Sequence, residues 1–524
     1  MKLKYLIPVI ISIAAAMTVS CESALEIKQH GVNTIDNFYK TDTDAEQALT
    51  SVYFRLRSNY LGMGTDPLFI KTALSDEAWS GGGNHFDGNS HKFFDYTHEP
   101  DLSAISSLFA NYYNVIYRAN LVITYIEEDT PFKKQARAEA KVLRALQYID
   151  LINFWGTPRI VDHPLSTEEY LGANSTKEEL WAFVEKDLQE AIESNALTSK
   201  SSVSDNNIYR VTKEYAQALL GKVYIFQGKY AEGAAMLQTV IDSGKYTLAT
   251  DLYNIWTEAG ESNGESLFDL NLILDMNNKV STTRWRFIGL RSGKYVDNDA
   301  SIEAPADTKL TDETWGYINP TKSLYDSFVS VEGADGYRRK CFVATYDELK
   351  SVYNKKIIEG EYVDDNEGFY NAKARVLAAN YVSNMYNSNI RMMRLAEVYL
   401  LAAEGYWQSG NKTKATELIN AIRSRAQAPQ ISGTCTFEDI QTESRLELCF
   451  EGQRYENLQR WGLAADALKD RGKNYPSLYS DGTVKWTDLT YSAQHGYKTG
   501  KHEYLPFPVS ETSVNEFCVQ NKGW

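Results

Sequence analysis

Paired carboxylates are the residues of this 524-residue chain whose spacing most resembles catalytic machinery. Glu447 and Glu451 lie one helical turn apart, and Glu397 and Glu404 lie two turns apart on one face of a helix. Two carboxyl groups that flank a bond perform glycoside hydrolysis. However, arginines such as Arg394 lie close by in the sequence, and a carboxylate in an apolar helix needs a charge partner. The pattern favours structural ion pairs, with a surface glycosidase as the alternative.

Aromatic side chains are the second candidate, since the chain contains 35 Tyr, 10 Trp and 20 Phe. In residues 79–98 and 277–317 they lie beside amides and charged groups. A ring can pack against the C–H face of a sugar while polar neighbours meet its hydroxyls. The alternative for any single ring is packing within its own loop. We predict a ligand face built from both segments, led by the three tryptophans, with these contacts: Trp79, Asn84, Phe86, Tyr96, Trp285, Arg286, Tyr295, Trp315 and Tyr317.

Other catalytic and metal-binding motifs are missing from the sequence. It contains no HExxH, no GxSxG, no GxxxxGK[ST] and no GxGxxG that opens a helix. His85, His91 and His98 share one loop with Asp87 and Asp95, but their spacing matches no common set of metal ligands. We therefore predict a protein that is not an enzyme, with no catalytic residue, no metal and no cofactor.

Charge and cysteine usage narrow the class of partner. The formal net charge is −15, which argues against nucleic acid and against a polybasic contact with anionic lipid. The five cysteines are widely spaced and form no CxxC pair, so they indicate neither a zinc site nor a disulfide-rich scaffold. A neutral ligand is compatible with this composition.

The N-terminus predicts where the protein is located. Lys2 and Lys4 precede a short apolar run over residues 6–17, which ends in small residues and Cys21. A cysteine at that point resembles a bacterial lipobox, so we predict a signal peptide over residues 1–20 and lipidation of Cys21. The alternative is a plain secretory signal. The apolar run is too short for a permanent membrane-spanning helix.

Helical periodicity dominates most of the chain. Thr43 and Glu46 have the spacing of a capping box at the start of the first helix. Around Gly221, and again around Gly410, the order of small, aromatic, turn and aliphatic residues resembles a tetratricopeptide helix–turn–helix unit. Apolar residues recur at helical spacing over four long segments, which are residues 44–58, 104–127, 134–154 and 177–194.

The periodicity fades in the middle of the chain, where Gly, Asn, Asp and Thr become frequent. Long irregular segments in a compact protein tend to carry function. Residues 266–272 alternate like a strand within this segment. We predict a mainly α chain divided into residues 21–245, which are helical, and residues 246–524, which comprise an irregular binding segment (246–386) and a helical part (387–524).

Several segments taken together resemble the SusD/RagB family of surface nutrient-binding lipoproteins. The resemblance covers nearly the whole chain in the family's order. The motifs that carry it are AEAKVLRA at 138–145, RLAEVYLLAAE at 394–404, INAIRSRA at 419–426, RLELCFEGQRYENLQRWG at 445–462, and a C-terminal segment from LPFP at 505–508 to QNKGW at 520–524.

This resemblance implies a non-catalytic, SusD-like fold in which four tetratricopeptide-like helix pairs support an irregular, loop-rich ligand-binding face. It also implies an outer-membrane, cell-surface protein that acts as a lid over a SusC-like TonB-dependent transporter and delivers oligosaccharides to it. Some relatives serve peptide uptake, so a peptide-binding lid is the first alternative. A tetratricopeptide adaptor without a small ligand is another.

Overall fold

The computed structural model describes residues 35–524, except residues 36, 63–64, 82–84, 86–88, 262, 273–283, 383–384, 387 and 490–494. The predicted signal peptide and Cys21 therefore lie outside the described residues. Among the described helices, none is long and apolar enough to cross a membrane.

Helices dominate the architecture, which confirms the predicted mainly α class. They are α1 Asp42–Asn59, α2 Pro67–Ala73, α3 His91–Phe94, α4 Ser103–Tyr125, α5 Pro131–Trp155, α6 Lys177–Glu193, α7 Lys213–Phe226, α8 Tyr230–Asp242, α9 Arg284–Ile288, α10 Lys322–Glu332, α11 Tyr337–Phe342, α12 Tyr346–Ser351, α13 Leu395–Gln408, α14 Lys412–Arg425, α15 Phe437–Glu447, α16 Gln453–Arg460, α17 Ala464–Ala467 and α18 Val509–Thr512.

The four long helices predicted from periodicity lie within a few residues of their expected bounds. The predicted cap of the first helix is wrong, however. Thr41 is the N-cap, and its side chain accepts from the Asp44 amide at 3.1 Å while the Asp44 carboxylate accepts from the Thr41 amide at 2.8 Å. The helix therefore begins two residues earlier than the Thr43–Glu46 spacing indicates.

Helix pairs form the scaffold. Helix α1 packs on α4, α5 on α6, α7 on α8 and α13 on α14, and α8 also packs on α13. Small residues allow the close approach: a Cβ on Gly221 would lie 2.5 Å from Leu237, and one on Gly405 would lie 2.7 Å from Ile225. The two tetratricopeptide-like units around Gly221 and Gly410 thus pack directly against each other.

Strands are short and lie mostly in the irregular segment. They are β1 Ala78–Trp79, β2 Ser266–Leu270, β3 Tyr295–Asp297, β4 Asn319–Pro320, β5 Val343–Thr345, β6 Lys355–Ile357, β7 Tyr362–Asp364, β8 Phe369–Asn371, β9 Tyr381–Val382, β10 Met385–Tyr386, β11 Ile390–Arg394, β12 Asn474–Tyr479 and β13 Val484–Asp488. One sheet has the order β13-β12-β7, and the others are antiparallel pairs such as β1 with β4 and β2 with β11.

The interior is divided into two apolar clusters. The large one runs through the helix pairs, and Trp155, Tyr148 and Leu237 belong to it. The small one lies under the β7–β12 sheet and contains Leu478 and Val363. The sheet formed by β7 and β12 is therefore held by a core of its own.

Candidate functional site

The paired carboxylates lie in a buried network of charges, which we call the arginine–glutamate network and define by Arg338, Arg394, Arg425, Glu265, Glu443, Glu447 and Glu451. Arg394 Nη1 lies 2.6 Å from Glu447 Oε1, and its Nη2 lies 2.6 Å from Glu451 Oε1. Arg338 Nη1 approaches Glu447 Oε2 at 2.9 Å. Burial raises the pKa of Glu447, but Arg425, Arg394 and Arg338 hold it well below its usual value.

The second carboxylate pair, Glu397 and Glu404, is likewise paired with cationic side chains. Glu397 Oε1 lies 3.1 Å from the Lys222 ammonium group. Glu404 Oε2 accepts from Arg460 Nη2 at 2.6 Å. Because Glu397 and Glu404 are both buried and paired, neither faces an open cleft in which a glycosidic bond could sit.

The two segments predicted to build a ligand face come together. Trp79 on β1 lies opposite Asn319 on β4 in an antiparallel pair. Beyond the pair, a Cβ on Gly81 would lie 1.9 Å from the carbonyl oxygen of Gly316, and Gly81 has a φ of +59°. This close contact requires glycine, and it brings the loop after Trp79 against the residue that follows Trp315.

Trp315 is half-buried and lies under a guanidinium group. Arg286 Cζ is 4.5 Å from the centroid of the Trp315 ring, and Arg286 Nε donates to the Glu313 carbonyl at 3.2 Å. Burial raises the pKa of the nearby Tyr381 hydroxyl, while Arg286 lowers it and a hydrogen bond to Glu313 raises it. An aromatic ring, a cation, a carboxylate and a phenol therefore converge here. The sequence argument did not identify Tyr381.

Trp79 is held from several sides and is 9% exposed. Its Nε1–H donates to Glu367 Oε2 at 2.8 Å, and Arg471 Cζ lies 4.8 Å from its ring centroid. The ring of Trp79 also contacts the ring of Trp486 on β13, with 5.7 Å between the centroids and 71° between the planes. Trp486 is 50% exposed. Sequence reasoning missed it, although the Asp481–Gly482 turn before an alternating segment is a hairpin signal. We call Trp79, Arg286, Trp315, Tyr381 and Trp486 the aromatic surface.

One histidine of this loop, His85, is held between two carboxylates. His85 Nδ1 lies 2.9 Å from Asp365 Oδ1, its Nε2 lies 3.0 Å from Asp95 Oδ2, and its ring stacks on Tyr475 at 4.2 Å. Burial lowers the pKa of His85, but the bonds to Asp365 and Asp95 raise it to about 10. In the part of the chain that the structure describes, no cluster of His, Cys, Asp and Glu could hold a metal ion.

Two of the predicted sugar contacts are wrong because their rings are buried. Trp285 is 1% exposed, since the short helix α9 turns it into the core against Tyr386 at 5.1 Å. Tyr96 is 2% exposed, and its hydroxyl donates to the Leu74 carbonyl. Neither ring can offer a face to a ligand.

The other predicted contacts are placed unevenly. Tyr317 is 7% exposed and packs edge-on against Phe287. Tyr295 is half-buried against the small apolar cluster, apart from Trp315. Asn84 and Phe86 lie outside the described residues. Arg286 and Trp315 remain accessible, and their contact with ligand stays a prediction.

Two family models match this chain. The model described as the SusD family matches residues 344–524. The model described as starch-binding associating with outer membrane matches residues 33–225. The two models do not overlap, and together they span most of the sequence. Over both stretches this chain is similar to the SusD family.

Individual relatives align over most of their length. A SusD-like protein of Formosa agariphila is 24% identical over 96% of this chain and 95% of its own. The starch-binding protein SusD of Bacteroides thetaiotaomicron is 23% identical over 74% of this chain and 72% of its own. A solved structure of a laminarin-binding SusD-like protein has a TM-score of 0.77 and 27% identity, and the match covers 93% of this chain and 100% of that one.

The SusD-family motifs and the aromatic surface occupy different positions. Arg394 lies in the motif at residues 394–404, and Glu447 and Glu451 lie in the motif at residues 445–462. All five residues of the aromatic surface lie outside the short sequence motifs, although Trp79, Tyr381 and Trp486 fall within the stretches that the two family models match. Similarity to the family therefore accounts for the scaffold and leaves the ligand contacts to be argued from geometry.

Proposed function

We propose that this chain is a cell-surface glycan-binding protein of a SusC/SusD-type nutrient uptake system, which delivers oligosaccharides to a SusC-like TonB-dependent transporter. The observation that carries the proposal is the half-buried indole of Trp315, which lies under Arg286 beside Tyr381 on the irregular face. A ring next to hydrogen-bonding groups matches the amphipathic surface of a sugar. Relatives named for binding starch and laminarin support the same class of ligand.

Glucans are the first ligands to test, because the relative at 27% identity is named for laminarin and another is named for starch. Calorimetry on protein that starts at Glu22 should detect binding of laminarihexaose or maltohexaose. Trp315→Ala should weaken it roughly 5- to 150-fold, since one sugar–ring contact contributes about 1–3 kcal/mol.

Phe54→Ala is the matched control for that substitution. Phe54 is an exposed aromatic residue on α1, within the helical scaffold, so its loss should leave affinity unchanged. If wild-type protein binds no oligosaccharide of a broad glycan panel, the glycan proposal fails. If Trp315→Ala keeps full affinity, the site lies elsewhere.

Binding without hydrolysis is part of the proposal. The carboxylates spaced for glycosidase chemistry are all paired with cations, and Glu447 is 0% exposed. Incubation of purified protein with the bound oligosaccharide should release no new reducing ends. Turnover that disappears in Glu447→Gln would contradict this part.

Lipid anchoring through Cys21 and docking to the transporter complete the proposal. They rest on the lipobox-like sequence and on the family description of association with the outer membrane. Cys21→Ala should move the protein from the membrane fraction to the soluble fraction without changing its melting temperature. Retention in the membrane at the wild-type level would place the anchor elsewhere.

A further inference from the structure

Trp486 stands apart from the other tryptophans. It is the one tryptophan among the exposed large hydrophobic side chains of the described residues, with half of its surface in solvent. Apolar rings of this size are normally buried, so a solvated indole beside a candidate binding surface needs a reason. Its only described ring contact is the edge-to-face one with Trp79.

The hairpin that carries Trp486 is firmly anchored. Strand β13 pairs with β12 so that Trp486 lies opposite Pro476, and β12 pairs in turn with β7. Leu478 of β12 and Val363 of β7 are buried in the small apolar cluster. A ring on a strand whose neighbours are fixed loses little conformational freedom when a ligand binds.

Trp79 is poorly placed to be a platform itself. Its indole N–H is bonded to Glu367, and the Arg471 guanidinium lies 4.8 Å from its ring centroid. Arg471 is fixed in turn, because its Nη2 donates to the Ser75 and Ala78 carbonyls at 2.9 and 2.7 Å. With 9% of its surface exposed, Trp79 can support a neighbouring ring but offers almost no face of its own.

We propose that Trp486 is a sugar platform of this protein and that Trp79 is the positioning residue that holds it in place. The inference rests on the proposed glycan-binding function. It names a ligand contact on β13, which is far along the sequence from the predicted segments 79–98 and 277–317. Glu367 extends the support, because its Oε2 accepts from Trp79 at 2.8 Å and from the Lys322 amide at 2.6 Å. The ligand class is the C–H face of a pyranose ring within an oligosaccharide.

Calorimetry with laminarihexaose and maltohexaose tests the platform. Trp486→Ala should weaken binding roughly 5- to 150-fold and leave the melting temperature unchanged, because the ring is half in solvent. Trp486→Phe should recover much of the affinity, since it restores an aromatic face. Phe54→Ala, which removes an exposed ring from α1, should change neither affinity nor melting temperature. Ligand-induced change in tryptophan fluorescence should shrink in Trp486→Ala.

Three further variants test the support. In Glu367→Gln the amide oxygen can still accept from Trp79, so affinity should be kept, whereas Glu367→Ala should weaken binding. The double variant Trp79→Ala/Trp486→Ala should bind no more weakly than Trp486→Ala alone, because Trp79 acts only through Trp486.

The outcomes separate this inference from the proposed function. If wild-type protein binds an oligosaccharide and Trp486→Ala binds it equally well, the platform assignment is wrong and the glycan function stands. If Trp79→Ala loses affinity while Trp486→Ala does not, Trp79 is the platform. If the wild type binds no glycan at all, the function and the inference fall together.

Discussion

The arginine–glutamate network and the aromatic surface carry the two kinds of residue that could do chemistry, and the fold treats them in opposite ways. In the network, every named charge is buried and paired, as for Arg338, which lies between Glu443 and Glu447 at 2.7 and 2.9 Å. In the aromatic surface, Trp486 and Trp315 keep part of their rings accessible although each has an aromatic or cationic neighbour.

The difference shows that residue type is a weaker guide to function than accessibility. Carboxylates one helical turn apart satisfy a spacing rule for catalysis, yet three arginines hold Glu447 in its ionised form and no solvent reaches it. Rings scattered over positions 79, 315 and 486 satisfy no spacing rule, yet Trp315 and Trp486 keep part of their surface in solvent. Burial decides which of the two regions can meet a ligand.

The largest expected effect comes from removing a network cation. Arg394→Met leaves Glu265, Glu447 and Glu451 short of a charge partner in the interior, where Arg394 now contacts all three. Breaking a buried ion pair from one side costs about 3–5 kcal/mol of the free energy of unfolding. Denaturant titration of the variant should show this loss.

The same variant tests whether the network is only structural. The fraction of Arg394→Met that remains folded should bind oligosaccharide with wild-type affinity, because Arg394 touches no residue of the aromatic surface. Wild-type stability in this variant would contradict the structural role. Normal stability with lost oligosaccharide binding would mean that the arginine–glutamate network belongs to the ligand-binding site.

Much of the scaffold could be predicted from sequence because its cause is local. Periodicity predicts the helix at residues 134–154 within three residues of α5, and the tetratricopeptide-like order around Gly221 predicts the helix pair that α7 and α8 form. The pairing of carboxylates with arginines followed from the cost of a lone buried charge. These inferences need no knowledge of distant contacts.

The aromatic surface could be predicted only in part because its cause is tertiary. The sequence argument named Trp315 and Arg286, which are accessible, but it also counted Trp285 as a platform, although Trp285 lies one residue from Arg286 and points into the core. Trp486 comes from a hairpin far along the chain and reaches Trp79 only through the fold. Composition shows that rings are present, but it does not show which face is covered.

A smaller effect is expected from the charged contact that fastens the loop of Trp79. The folded pKa of His85 is about 10, above its ordinary value of 6.5, because Asp365 and Asp95 outweigh burial. Its contribution is therefore complete below pH 6.5 and is lost as pH rises through 10. Between pH 7 and 9 the wild type should lose about 2–3 kcal/mol of stability through this group.

The variant His85→Gln isolates that contribution. The stability gap between wild type and variant, measured by denaturant titration, should narrow by that amount from pH 7 to pH 9. Burial raises the pKa of Asp365 to about 6, although its bond to His85 lowers it, so this carboxyl titrates below the chosen window. A gap that stays constant over the window would mean that His85 is neutral in the folded protein.

The smallest effect is expected from an ion pair of equally good geometry at the surface. Lys322 Nζ lies 2.6 Å from Asp326 Oδ2, but the two side chains are 62% and 54% exposed. Water already solvates both charges, so Lys322→Met should change the free energy of unfolding by no more than about 0.5 kcal/mol. The backbone N–H of Lys322 still donates to Glu367, so oligosaccharide affinity should also be unchanged. Denaturant titration and calorimetry beside Arg394→Met give the comparison. A stability loss as large as that of Arg394→Met would mean that pairing itself, and not burial, sets the cost of losing a charge partner.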